Sequence, residues 1–443
     1  MLRLLMWKEF REDLFSLRFA ILMIVLMGLV GAIMFVLTIE HDQQVQDYTR
    51  RVELHRRAGP DIVIVDRPPP MLAILFRGFM PMAPTQIELS ASAPPEPRQA
   101  VEIDSMEALF PTIDLTFCIG VVLGLIALLF SYDTITGEKE RGTLRQMLAH
   151  ALPRSSILLG KWLAVCGTMT VTVLIVLLMA VALAHFLSNS LFSLTRGELA
   201  ALGLIALTSA LYLSTFALIG ICISALVKRS TTALASTTLI WVAMIFIWPN
   251  ITPYVAARLT PAPTYQQFAR ERNRLDAQLT HELKARHARG AERVRRERMN
   301  REQALRVFEQ IQRAWEREHK AALTQLENAF RARLWAQERT GMWLASLSPY
   351  GSFLHAVTAL SDTGLDADER FRKQARLYDR QQEVKTITSA ERHKPDLASS
   401  FTFEATPLRE RFSAAAPPTL ILILYNLGWL IASTLAFRRT DVR

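Results

Sequence analysis

Apolar runs of about 20 residues, nearly free of charge, alternate along the chain with strongly charged stretches; they cover residues 19–39, 112–132, 162–186, 200–227, 232–249 and 417–437. About 20 residues at the rise of an α-helix cross a hydrocarbon core, so each run predicts a transmembrane helix. Ahead of the first run, Leu4, Trp7, Phe10, Leu14 and Leu17 share one helical face while Lys8, Arg11, Glu12 and Asp13 lie elsewhere on the wheel. Residues 1–18 therefore read as a helix in the membrane interface, although a mere topogenic flank fits the same pattern.

The polar stretches divide into short and long. Residues 40–111 are rich in proline and carry two alternating runs, Asp61-Ile62-Val63-Ile64-Val65 and Gln86-Ile87-Glu88-Leu89, which predict a small, partly β lobe. Residues 250–416 open, after Pro261 and Pro263, on a charged segment in which Leu275, Leu279 and Leu283, then Leu305, Phe308, Gln312 and Trp315, then Leu326, Phe330 and Leu334 recur at spacings of three and four. That period predicts an amphipathic helical hairpin or coiled coil. Residues 281–300 of it are basic, with Lys284, Arg286, Arg289, Arg293, Arg295, Arg296 and Arg298 against Glu282, Glu292 and Glu297; such a face can bind anionic lipid or nucleic acid, but outside the cytoplasm a solvated face is the default reading. The segment 348–357 reads as an apolar helix too short to cross, opened by Pro349, packing under the domain or lying on the membrane surface.

A hydrophobic content of 51% in 443 residues beside 21% charged residues fits this segregation into greasy and wet blocks. The net charge of +10 sits largely in membrane flanks and the hairpin, which favours a membrane over nucleic acid as its explanation. Short basic segments stay in the cytoplasm. The N-terminus, the 133–161 loop, Lys228-Arg229 and the 438–443 tail fall on one side of six spans, so both termini are expected in the cytoplasm and 40–111 and 250–416 outside it. The first run is expected to be a retained helix, since acidic residues precede it and no small-residue cleavage pattern follows. Cys118, Cys166 and Cys222 all lie inside apolar runs and offer neither a disulfide framework nor a CxxC metal site. The fold class expected is thus an all-α polytopic membrane protein of six transmembrane helices, with an N-terminal interfacial helix, a mainly helical extracytoplasmic domain and a small partly β lobe.

The 133–161 loop is short, juxtamembrane and dense in both signs of charge. A helix whose Glu and Arg side chains bond a soluble partner while its ends join two spans would turn partner movement into span movement. Its residues Tyr132-Asp133 and Gly137-Glu138-Lys139-Glu140-Arg141-Gly142-Thr143-Leu144, then Pro153-Arg154 and Leu159-Gly160-Lys161, resemble the hallmark of type-2 ABC exporter permeases. The resemblance extends to Arg67-Pro68-Pro69, Arg77-Gly78, Phe110-Pro111-Thr112-Ile113-Asp114-Leu115 and Leu347-Ser348-Pro349, and is nearest the subgroup with a large extracytoplasmic insertion before the last span, the NosY-like and GldG-like permeases.

The resemblance implies a coupling helix that docks on an ATPase, formed by Glu138, Lys139, Glu140, Arg141, Gly142, Thr143, Leu144, Arg145 and Met147, and an elbow helix holding Trp7, Lys8, Glu9 and Phe10. It further implies a bacterial inner-membrane protein whose partners are a dimeric cytoplasmic ABC ATPase, a second or paralogous permease, membrane lipid and a periplasmic protein. This chain has no Gly-x-x-x-x-Gly-Lys-Ser/Thr phosphate cradle, so ATP and Mg are expected on the partner ATPase and no cofactor on the permease itself. The histidines are scattered without an HExxH pair, no GxSxG element occurs, and Asp114 and Asp133 stand at span ends, which disfavours metal, protease and proton-relay readings. Two functions remain: an exporter permease, and a mechanotransmission or assembly machine that moves its outer domain without passing a substrate. Hydroxyls such as Thr168, Thr170, Thr172, Ser209, Ser214 and Thr215, with Asn426, define no substrate pocket.

Overall fold

The computed structural model describes residues 2–57, 63–80, 84–89, 96–97, 113–144, 146, 153–188, 193–388 and 401–439. Helix α1 (Leu2–Leu14) is followed at once by α2 (Leu17–Arg57), because the Ser16 hydroxyl donates to the Asp13 carbonyl at 2.8 Å and accepts the Phe19 N–H at 3.1 Å. The two bonds make a tight turn and a helix cap from one side chain. Helix α2 continues past residue 39, where the apolar run stops, because its polar extension has a protein partner. Arg51 and His55 reach Asp66 at 3.3 and 2.7 Å. Asp66 ends strand β1 (Val63–Asp66), which pairs antiparallel with β2 (Gln86–Leu89) in the register Val63↔Leu89, and β2 pairs with β3 (Glu96–Pro97). Asp61 and Ile62 lie outside the described residues.

The second apolar segment, α3 (residues 115–131), contains a π turn at Cys118–Leu123 and leads into the short α4 (Thr136–Arg141). Asp114 caps its start, accepting the Phe117 and Arg77 N–H groups at 2.9 and 3.0 Å and so fixing the first lobe to it. Helices α5 (Arg154–Leu187) and α6 (Arg196–Leu226) follow. Helix α7 (Ser230–Leu259) carries a second π turn, Ala243–Ile247, just ahead of Pro249. Proline inside a helix lacks an N–H and clashes with the carbonyl four residues back, and a local change of helical pitch accommodates both. Helices α8 (Tyr265–Arg296) and α9 (Arg301–Ala345) form the antiparallel hairpin, each opened by a capping box, Thr264 with Gln267 and Asn300 with Gln303. Phe268 stacks on Phe330 at 4.4 Å between ring centres, and Trp315 donates to the Leu279 carbonyl across the hairpin at 2.9 Å. Helices α10 (Pro349–Leu360), α11 (Leu365–Thr388) and α12 (Leu408–Arg439) complete the chain. Among the described residues, six helical segments are long and apolar enough to cross a membrane: α2, α3–α4, α5, α6, α7 and α12.

Helix α10 does not lie on the surface of the bundle. It is inserted among α3, α6 and α12, with Phe353, Ala356, Val357 and Leu360 buried and Phe353 stacked on Tyr212 of α6 at 4.6 Å. The reason is visible in its composition: small residues Gly351, Ser352 and Ala356 let it approach neighbouring backbones, and its N-terminal turn is satisfied by Ser348, which accepts the Gly351 N–H at 2.9 Å. The hairpin is thus joined to the bundle core through a buried turn of helix. On the other side, α11 gives Phe371, Ala375 and Tyr378 to a second small core with Val65, Ile87 and Leu89 of the sheet.

In lipid, apolar burial hardly distinguishes helix from hydrocarbon, so the bundle depends on close contact. One close crossing is α3 on α6 at Gly220, where an added Cβ would lie 2.0 Å from Ser131 Oγ and 2.9 Å from its Cβ. Gly220→Val is therefore expected to destabilise the bundle by about 1–3 kcal/mol through overpacking, read as a lower unfolding midpoint of the purified protein. Gly428→Val, on a face with no atom within 4 Å, should leave the midpoint unchanged. Equal midpoints for the two variants would refute the close crossing.

A candidate coupling site at the α4 end of the bundle

Helix α4 begins at a position where its own N-cap residue, Ile135, has no side chain able to accept a hydrogen bond. Ser224 of α6 does this from outside: its hydroxyl accepts the Ile135 and Thr136 N–H groups, both at 3.0 Å. The service is returned. Lys139 Nζ donates to the carbonyls of Ala225 at 2.7 Å and Val227 at 3.1 Å, where α6 ends. A cation on the last carbonyls of a helix also meets the negative end of its dipole. Glu140 plays the complementary part at the start of α7, accepting the Ser230 N–H at 2.8 Å and its hydroxyl at 2.9 Å. Arg154 donates to the Arg438 carbonyl at 2.8 Å at the end of α12. Four helix ends are thus capped from neighbouring segments of the chain.

At the centre stands Lys161, in the second turn of α5, with only 4% of its side chain exposed. Its Nζ lies 2.9 Å from Glu9 of α1 and 3.6 Å from Glu138 of α4. Glu138 also accepts from the Thr143 hydroxyl and lies 3.9 Å from Arg141. A buried ammonium placed between two carboxylates ties three helices at one point. Asp13 stands in the same field, beside Glu9, Lys161 and Asp133, while Asp133 pairs with Arg18 at 3.5 Å. Burial first, and the Glu9 charge second, push the Asp13 carboxyl up to about 7.

The residues singled out from the sequence separate into inward and outward groups. Glu138 and Lys139 have internal partners, Thr143 bonds Glu138, and Leu144 is buried with Ile135, Ile157, Leu158 and Phe437. Arg141 is 69% exposed, and Glu140 and Gly142 are exposed beside it. Gly142 ends α4 at φ +74°, a left-handed position suited to glycine. Arg145 and Met147 lie outside the described residues. In α1, Glu9 faces Lys161, Phe10 packs on α5 at Gly167, Lys8 pairs with Glu12 at 3.6 Å, and Trp7 and Leu4 are exposed. Lys161 stands in the Leu159-Gly160-Lys161 part of the loop motif but had no role assigned to it, and neither had Ser224 or Asp13. Lys161 was visible as a lone cation at the edge of an apolar run, whereas a serine within such a run carries no comparable signal.

Six apolar helices, an amphipathic helix across one bundle end and a charged helical loop docked beside it are the parts of a transporter's transmembrane subunit. The family model described as ABC-2 family transporter protein matches residues 3–442, and the chain belongs to that family: it is a multi-pass ABC transporter permease, a class that works with an ABC ATPase subunit. Over 49 residues it is 49% identical to the probable ABC transporter permease protein NosY of Pseudomonas aeruginosa; this stretch covers 11% of the present chain and 18% of that relative's length.

Two outcomes follow from the Lys161 cluster. Removing one partner of a buried ion pair costs about 3–5 kcal/mol, whereas replacing all partners by neutral groups is far milder. Lys161→Met is therefore expected to lower the unfolding midpoint strongly, and the triple change Glu9→Gln, Lys161→Met, Glu138→Gln to recover much of the loss; a triple variant no better than the single would refute the pairing. For Asp13 the folded carboxyl titrates near 7 against an ordinary 3.8, so its protonation stabilises the fold fully below about pH 4 and that contribution is lost as the pH rises through 7. Asp13→Asn, neutral at every pH, should gain stability over wild type between pH 5 and pH 8, and a pH-independent difference in midpoint would contradict the shift.

Proposed function

We propose that this chain is the permease of an ATP-driven exporter, and that α4 receives the movement of a separate cytoplasmic ATPase dimer, which binds the ATP and Mg. The reading rests on the Glu9–Lys161–Glu138 clamp: any displacement of α4 is shared with α1 and α5 through Lys161 and with α6 through Ser224 and Lys139. The docking face we assign is Arg141 with Glu140 and Gly142, and a second permease, identical or paralogous, would complete the path. In this arrangement both termini and α4 lie in the cytoplasm, α1 rests in the inner-membrane interface, and the hairpin and sheet lie outside.

A second reading, mechanical work on an extracytoplasmic partner without transport, is favoured by one observation. Helix α10 is buried against α3, the helix that leads into α4, and is separated from hairpin helix α9 only by residues 346–348. Movement of α3 would reach the hairpin by direct contact. Uptake or efflux of candidate solutes by reconstituted vesicles carrying both subunits separates the two readings, since the mechanical one expects hydrolysis without flux.

Docking itself is tested by Arg141→Glu, which reverses an outward charge and leaves the clamp in place. ATPase co-purification is expected to weaken about tenfold, the scale of a charge reversal at an interface, with normal membrane insertion. Wild-type co-purification and wild-type hydrolysis in this variant would sink the assignment of α4 as the docking helix.

A further inference from the structure

Along the shaft of the α8–α9 hairpin, several arginines pair with glutamates. Arg286 pairs with Glu318 at 2.5 Å, Arg293 with Glu297 at 3.0 Å, Arg313 with Glu309 at 3.4 Å and Arg306 with Glu302. At the tip four arginines stand close together without such pairs. Arg295 and Arg296 in the last turn of α8, Arg298 in the connection and Arg301 in the first turn of α9 are all exposed, and none has a side-chain partner among the described residues.

The fold itself would choose other residues at two of these four positions. Arg298 has φ +49°, a left-handed conformation that costs a side chain with a Cβ and is usually given to glycine or asparagine. Arg301 is a cation at a helix N-terminus, where the dipole favours an acid. Neither arginine side chain caps or packs the turn, which is closed by backbone bonds from the Arg298 and Met299 N–H groups to the Arg295 and Val294 carbonyls at 3.3 and 3.1 Å and by the Asn300–Gln303 capping box. Between 284 and 306 the chain holds nine Lys or Arg against three Glu, so the cluster repels itself in the isolated protein.

We propose that this tip is a docking surface for the acidic face of a protein partner. A membrane surface is the poorer match, because the turn exposes no large apolar side chain whose burial would add to the attraction of charge; Val294 and Met299 are half-buried, and the exposed Leu305 is a turn further along α9. The arm is also long, 32 residues in α8, or about 48 Å at the helical rise, which suits a rigid reach toward a partner. The proposal does not depend on which side of the membrane the hairpin occupies, nor on the α4 docking reading.

The test uses the full-length protein in neutral-lipid nanodiscs at physiological salt, with a labelled glutamate-rich peptide and vesicles containing anionic lipid as probes. The tip variant carries Arg295→Gln, Arg296→Gln, Arg298→Gln and Arg301→Gln. The shaft variant carries Arg286→Gln, Arg293→Gln, Arg306→Gln and Arg313→Gln, and so loses the same charge. Peptide affinity is expected to fall about tenfold in the tip variant and less than about twofold in the shaft variant, as four unmatched exposed cations acting together would give. Equal losses would reduce the effect to net charge, retained affinity in the tip variant would dismiss the arginines, and tighter binding of wild type to the vesicles than to the peptide would make the partner a lipid surface; each overturns the proposal.

Discussion

A single desolvated ammonium determines how the α4 end of this bundle is assembled. Lys161 is bound to α5 by the chain, yet its charge can be tolerated at that depth only while Glu9 and Glu138 stay beside it. Their positions fix in turn the crossing of α1 over α5 and the seat of α4. The reciprocal caps between α4 and α6 extend the same logic to uncharged groups, because the polar ends of helices meeting near a membrane have little water to satisfy them. What looks from the sequence like a surface loop rich in charge is, on its inner side, a set of obligatory partners.

The opposite end of the bundle is held by shape. Tyr212 reaches from α6 to the Gly120 carbonyl at 2.5 Å, a bond available because the π turn of α3 leaves that carbonyl without its usual helical donor. Phe353 of α10 stacks on the same tyrosine, so one aromatic residue joins a wall helix, a distorted helix and the inserted helix. The Asn426 side chain likewise donates to the Leu211 carbonyl and the Thr215 hydroxyl at 2.9 Å each. These bonds and tight crossings do for helices in lipid what an apolar core does for a soluble domain.

Where the chain obeys a simple period, its reading was direct. The six apolar runs, the three-and-four spacing of Leu275 through Leu334, and the two alternating runs that become β1 and β2 depend only on which side chains avoid water. The lengths of α2 and α7 were underestimated because the polar half of α2 is held by Asp66 and the proline region of α7 by a π turn, contacts no local pattern reveals. Helix α10 was legible as a helix, but its burial among α3, α6 and α12 was not, since a short apolar helix has the same composition on a membrane surface as inside a bundle. The charged loop was recognised, yet which of its charges face inward depends on Lys161 and Ser224, 23 and 86 positions from Glu138 by number. Sequence separation of that order hides a contact between single residues.

The π turn at Cys118–Leu123 also acts as a phase adjuster. An α-helix rotates about 100° per residue, so widening one turn of α3 resets the direction in which every later side chain of that rod points. It lets the first half of α3 offer Gly120 to Tyr212 while the second half offers Ser131 to Gly220, both on the same neighbour, α6. Residue count through this stretch is therefore a form of angular information. A one-residue deletion here would be felt some 15 residues away, as a rotation carrying Glu138 off the axis of Lys161, whereas the same deletion at the hairpin tip would alter only the shape of an exposed turn.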